Sequence, residues 1–102
     1  MSEVLTDRVH RELWTSWASL LRSYAAAHGL NSRQHAVVEV SEASITVRHG
    51  LRWMRFTPSA IEGSEQQRVP FHLTVDGMAV VDGAEEEMDF AAERLAREII
   101  AA

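Results

Sequence analysis

The stretch His35–Arg48, HAVVEVSEASITVR, decides the fold. Ala36, Val38 and Val40 fall on one side of an extended chain, and Val37 and Glu39 on the other. Beyond a polar break at Ser41–Ser44, Ile45 and Val47 resume the apolar alternation against Thr46 and Arg48. A period of two in Val- and Ile-rich sequence predicts two strands, His35–Ser41 and Ser44–Arg48. With Glu42-Ala43 as a two-residue turn, Val40 pairs with Ile45 and Val38 with Val47.

Working outward, the same period predicts strands over Leu51–Thr57, Arg68–Val75 and Met78–Val81. His49-Gly50 reads as a two-residue turn, which puts Ile45 opposite Met54. Asp76-Gly77 is the strongest turn signal and suits a type I′ hairpin, pairing Val75 with Met78 and Leu73 with Val80. Pro58–Gln66 is polar and turn-rich and reads as a loop. Pro70 lacks an N–H, which restricts its strand to an edge or turns that position outward.

Before and after the strands the period changes to 3.6. From about Thr6 to His28, Val9, Leu13, Trp14, Trp17, Leu20, Leu21, Tyr24 and Ala27 share one helix face, with Thr6 as cap and Gly29 as stop. A second helix is expected over about Ala84–Ala101, buried through Met88, Ala91, Ala92, Leu95 and Ile99. Asp82 is its expected N-cap, and Glu85 completes a capping box. The fold class is therefore α+β: a two-layer sandwich in which an antiparallel sheet of about five strands carries the N- and C-terminal helices on one face, in the order α-β-β-β-β-β-α. At 102 residues the chain is one domain.

These registers give the sheet one apolar face, Ala36, Val38, Val40, Ile45, Val47, Met54, Phe56, Val69, Phe71, Leu73, Val75, Met78 and Val80. The other face carries Val37, Glu39, Thr46, Arg48, Leu51, Trp53, Arg55, Arg68, His72, Thr74 and Val81. Neither helix is free to cover it. Trp53 among arginines is the composition of a binding hot spot. The ordinary alternative is a solvated sheet whose Trp is covered by Arg stacking.

Charge is distributed unevenly. The net charge is −5, and residues 76–102 hold eight acids against only Arg94 and Arg97, so the imbalance lies in the last quarter. All ten basic residues are Arg, each able to fork to a carboxylate or stack on a ring. Asp82, Glu86, Asp89 and Glu93 would form an acidic ridge on the last helix. Acids in a first helical turn complement the dipole, and a straight ridge does not surround a cation, so no metal site is assigned. The chain has no cysteine, which removes disulfides and thiolate chemistry. Its N-terminus lacks the basic and apolar regions of a signal peptide, and the expected location is cytoplasmic.

No hydrolase elbow or phosphate-cradling glycine loop occurs. His10, His28, His35, His49 and His72 do not cluster. His10 and His28 read as core-edge residues. Neither catalytic residues nor a cofactor are assigned, and the balance lies against an enzyme. The helix–strands–helix order resembles the frataxin-like fold and, more loosely, the secretion-chaperone-like fold. Unlike the former, the acids lie on the last helix and the Gln-Pro…Trp signature is missing. Unlike the latter, a short Pro58–Gln66 loop replaces an inserted helix. No functional residue is carried over.

The expectation is a small non-enzymatic protein-interaction module, homodimeric, binding through Arg48, Trp53, Arg55, Arg68 and His72, with Phe90 as a secondary contact. Its partner is a second copy or another protein; no membrane association is expected. Two alternatives stand beside it. One is a small-molecule or enzymatic pocket between helices and sheet near Pro58–Gln66, lined by Trp14, Trp17 and Tyr24. The other is single-stranded nucleic-acid binding through the Arg/Trp face, which the acidic chain argues against.

Overall fold

In the computed structural model, which describes residues 7–30 and 35–101, a helix leads into a seven-stranded antiparallel meander that ends in a second helix. The elements are α1 (Asp7–Gly29), β1 (Ala36–Val40), β2 (Ile45–His49), β3 (Arg52–Phe56), β4 (Ala60–Gly63), β5 (Arg68–Leu73), β6 (Met78–Val81), β7 (Ala84–Glu87) and α2 (Met88–Ala101). Each strand pairs with the next in sequence, so β1 and β7 are the edges. The Cα radius of gyration, 13.2 Å, is that of an ordinary globule of about 100 residues. Among the described residues no helix is long and apolar enough to cross a membrane.

The α+β class and the helix–sheet–helix order are as the sequence predicts, with two strands more than expected. The first, β4, lies inside the predicted Pro58–Gln66 loop. The second, β7, replaces the predicted first turn of the last helix. Asp82 (φ 52°) and Gly83 (φ 85°) are both left-handed and join Val81 to Ala84, the requirement of a type I′ turn. Asp82 is therefore a turn residue rather than an N-cap, and α2 starts at Met88, whose N–H donates to the Gly77 carbonyl (3.3 Å). The acidic ridge is dispersed by the same change, because Asp82 lies in a turn and Glu86 on a strand, away from the helical Asp89 and Glu93. The predicted Thr6 cap lies outside the described residues.

The first hairpin has the expected register, Val38 opposite Val47 and Val40 opposite Ile45. Ser41 closes it with its hydroxyl, which accepts from the N–H groups of Ala43 (3.3 Å) and Ser44 (3.1 Å). The second is shifted by two residues: Gly50-Leu51 forms the turn, and Ile45 pairs with Phe56 and Val47 with Met54. An even shift leaves each side chain on its face. The β5–β6 hairpin differs by an odd shift. Thr74 N–H donates to the Met78 carbonyl and Gly77 N–H to that of Thr74, so Val75-Asp76-Gly77 forms a three-residue loop with Gly77 at φ 81°. Leu73 consequently pairs with Ala79 and His72 with Val80. Ala79 and Val81 face the helices, Met78 and Val80 turn outward, and Val75 is exposed.

Both helices cover the inner face. Trp17 is fully buried against Phe56 (5.4 Å between centroids) and Phe71 (5.5 Å), joined by Ile45, Val47, Met54, Leu73, Ala91, Ala92, Leu95 and Ile99. Trp14 donates its indole N–H to the Ser41 carbonyl (3.0 Å), tying α1 to the first hairpin turn. Arg52 donates to the carbonyls of Glu98 (3.3 Å) and Ile99 (3.0 Å), filling acceptors that the end of α2 leaves open. His10 stacks on Trp14 and His28 meets Glu93 at 2.9 Å, both at the core margin.

Candidate binding face

The strand alternation that buries Ile45, Val47, Met54 and Phe56 places Thr46, Arg48, Trp53 and Arg55 on the opposite side of β2 and β3. A continuous cross-strand row runs Glu39, Thr46, Arg55, Glu62, Arg68 over β1 to β5. Beside it lies a second row, Val37, Arg48, Trp53. Charges of opposite sign are paired across this face. Arg48 Nε donates to Glu39 (3.0 Å), Arg68 to Glu62 (2.6 Å), and Arg55 approaches the same Glu62 at 4.0 Å.

Arg55 is the centre of this arrangement. Its guanidinium carbon lies 5.0 Å from the Trp53 ring centroid, and its Nε donates to Thr46 Oγ1 (3.4 Å). Thr46 is only 5% exposed, although it faces away from the core, and the overlying Arg55 contributes to covering it. The stacking that the sequence offered as the ordinary explanation for Trp53 is thus present. Trp53 is also anchored at its backbone, donating to Ser64 Oγ (3.2 Å) and accepting from Ser64 N–H (3.0 Å).

A shallow groove of about 360 Å³ opens on this face, lined by Glu39, Val40, Ser41, Ser44, Thr46, Arg48 and Arg55. It brings two guanidinium groups and three hydroxyls to one side, with one carboxylate between them. Arg68 is joined to the pair through Glu62, and His72 is exposed further along β5, in a row with Val80 and Glu85. Phe90, 64% exposed, sits on α2 in the helical layer and does not belong to this face.

No family model matches the chain, and no curated protein or solved structure matches it.

Glu62, Ser41 and Ser44 join the site, although the sequence pattern does not single them out; Thr46 joins it from the outer face where the sequence places it. Glu62 is concealed because β4 is only four residues long, between Pro58 and Gly63. A second crevice, about 180 Å³, lies between the Gly63–Gln67 loop and α2, over Met54, Ile61, Val69, Leu95 and Ile99. It is smaller than ordinary ligand pockets. The side chains expected to line a pocket are otherwise engaged: Trp17 is packed in the core, Trp14 is bonded to Ser41, and Tyr24 donates to Asp89. Among the described residues no group of three or more His, Asp or Glu is placed to hold a metal ion.

Proposed function

We propose that the protein is a non-catalytic interaction module whose outer sheet face docks an acidic segment of a partner protein. The observation that supports this reading is the convergence of Arg48 and Arg55 on one groove with the hydroxyls of Ser41, Ser44 and Thr46. Forked arginine contacts to carboxylates are among the stronger charge-assisted hydrogen bonds. Arg48 is about half exposed, as is its partner Glu39. Exposed pairs of that kind contribute only about 0–1 kcal/mol, so a ligand carboxylate can take the place of Glu39 at little cost. Trp53, beside the groove, supplies the aromatic surface on which interface energy concentrates.

The test uses a Glu-rich peptide, a Lys-rich peptide and a single-stranded oligonucleotide, each titrated into the ¹⁵N-labelled protein at low salt. The Glu-rich peptide should shift amide resonances of β2 and β3. The double variant R48A/R55A should weaken that binding by about tenfold or more, or about 1.4 kcal/mol. A response to the oligonucleotide alone, or shifts confined to the helices, would overturn the reading.

A further inference from the structure

We infer that β1 pairs antiparallel with β1 of a second copy of this chain, in a single register that sets Val38 on the two-fold axis. The two edges of the sheet differ sharply. β7 reads Ala84-Glu85-Glu86-Glu87, a run of charge that blunts an edge against pairing. β1 reads Ala36-Val37-Val38-Glu39-Val40, with no Pro or Arg and only one charge. Among the described residues no strand pairs with its outer side.

The hydrogen-bond phase of β1 fixes what that side offers. Ser41 N–H donates to the Ser44 carbonyl, and antiparallel ladders alternate. Val37 and Glu39 therefore turn their backbone groups to β2, while Ala36, Val38 and Val40 turn theirs outward. With Val38 opposite the partner's Val38, and Ala36 opposite the partner's Val40, every outward group of the strand is used. Shifting by one residue would oppose inner and outer faces. Shifting by two one way sets Glu39 against the partner's Glu39, which like charge disfavours. Shifting by two the other way leaves the outward groups of Val40 without a partner on β1.

Charge and burial agree with the chosen register. Glu39, already bonded to its own Arg48, comes beside the partner's Val37, whose neighbour across the sheet is the partner's Arg48. Val37 (48% exposed) and Val40 (39%) are uncovered on opposite faces of β1, and both would be covered by the added strand. α1 packs over the inner face, but Val38 and Val40 remain partly open there. This inference is independent of the outer-face reading.

The experiment is sedimentation equilibrium of the full chain, over low- to high-micromolar concentrations, with three variants. The parent chain should dimerise reversibly. V38P should be monomeric, since the lost N–H points away from β2 and the fold loses no internal bond. V37E should weaken the dimer by roughly tenfold, because two symmetry-related like-charge contacts arise against Glu39. V37K should match or tighten it. A monomeric parent chain would overturn the inference, as would a dimer that V38P leaves intact. Equal weakening by V37E and V37K would overturn the register, and that pair of variants decides the matter even where V38P does not fold.

Discussion

Gln66 is held at φ 70°, in the left-handed region. Its hairpin is built like the one after β5. Gly63 N–H donates to the Gln67 carbonyl and Gln66 N–H to that of Gly63, as Thr74, Met78 and Gly77 do in the other. One loop has glycine at the left-handed position and the other has glutamine. A non-glycine residue there costs about 1–2 kcal/mol, whereas glycine adds about 0.5–1 kcal/mol of unfolded-state entropy to be overcome. The exposed Gln66 side chain contributes no packing that would reverse the balance. Gln66→Gly should therefore raise stability by up to about 1 kcal/mol. Gly77→Ala should lower it by a similar amount, through backbone strain alone, because a Cβ at Gly77 meets nothing within 4 Å. Urea melts of both variants check this, and a destabilised Gln66→Gly would refute it.

At the level of elements, α1 and α2 run parallel: Tyr24 reaches Asp89 and His28 reaches Glu93, the same offset in both contacts. The Tyr24 hydroxyl donates to the Asp89 carboxylate, which raises its pKa above the ordinary 10.0, with partial burial and the charges of Asp89 and Glu93 acting in the same direction. A raised folded-state pKa adds stability that is complete below the unfolded value and lost as pH climbs through the folded one. Tyr24→Phe should thus be less stable than the parent at neutral pH, and the gap should close above about pH 10. Denaturant midpoints measured across that range provide the test; a constant gap would show that the phenol proton is not involved. The elements also show what the sequence leaves ambiguous. It contains two Asp-Gly pairs, and the one that forms the I′ turn is Asp82-Gly83, not Asp76-Gly77. Met78-Ala79-Val80-Val81 is apolar at every position, so alternation gives no phase, and the inner face is chosen only when Ala79 packs at the core. Ala84-Glu85-Glu86-Glu87 resembles the acidic start of a helix and has no apolar alternation to mark a strand. By contrast, β2 alternates cleanly. Its alternation and an even hairpin shift to β3 set the side taken by Arg48, Trp53 and Arg55, even though Arg52 falls on the apolar side, whereas the place of Glu62 on short β4 has no such signal.

For the molecule as a whole, a one-sided core makes the aromatic contact between α1 and the sheet central to stability. Trp17, Phe56 and Phe71 come from α1, β3 and β5 and touch one another with centroids 5.3–5.5 Å apart. Trp17→Ala should cost about 3–5 kcal/mol, a large share of the roughly 5–15 kcal/mol available to a domain. The more discriminating comparison sets Trp17→Phe beside Trp14→Phe. Both residues are buried, and the change from indole to phenyl is the same, with a cavity term of about 1 kcal/mol at each. They differ in the indole N–H. Trp14 donates to Ser41, whereas Trp17 Nε1 has no partner among the described residues. A buried polar group without a partner costs about 1–3 kcal/mol. Removing it at Trp17 offsets the cavity, while at Trp14 the change discards a bond and releases the Ser41 carbonyl. Trp17→Phe should therefore be near neutral and Trp14→Phe should cost about 1–2 kcal/mol more, although Trp17 is the more deeply buried ring. Equilibrium urea unfolding of the two variants measures the difference, and the opposite order would mean that the Trp17 indole makes a hydrogen bond after all.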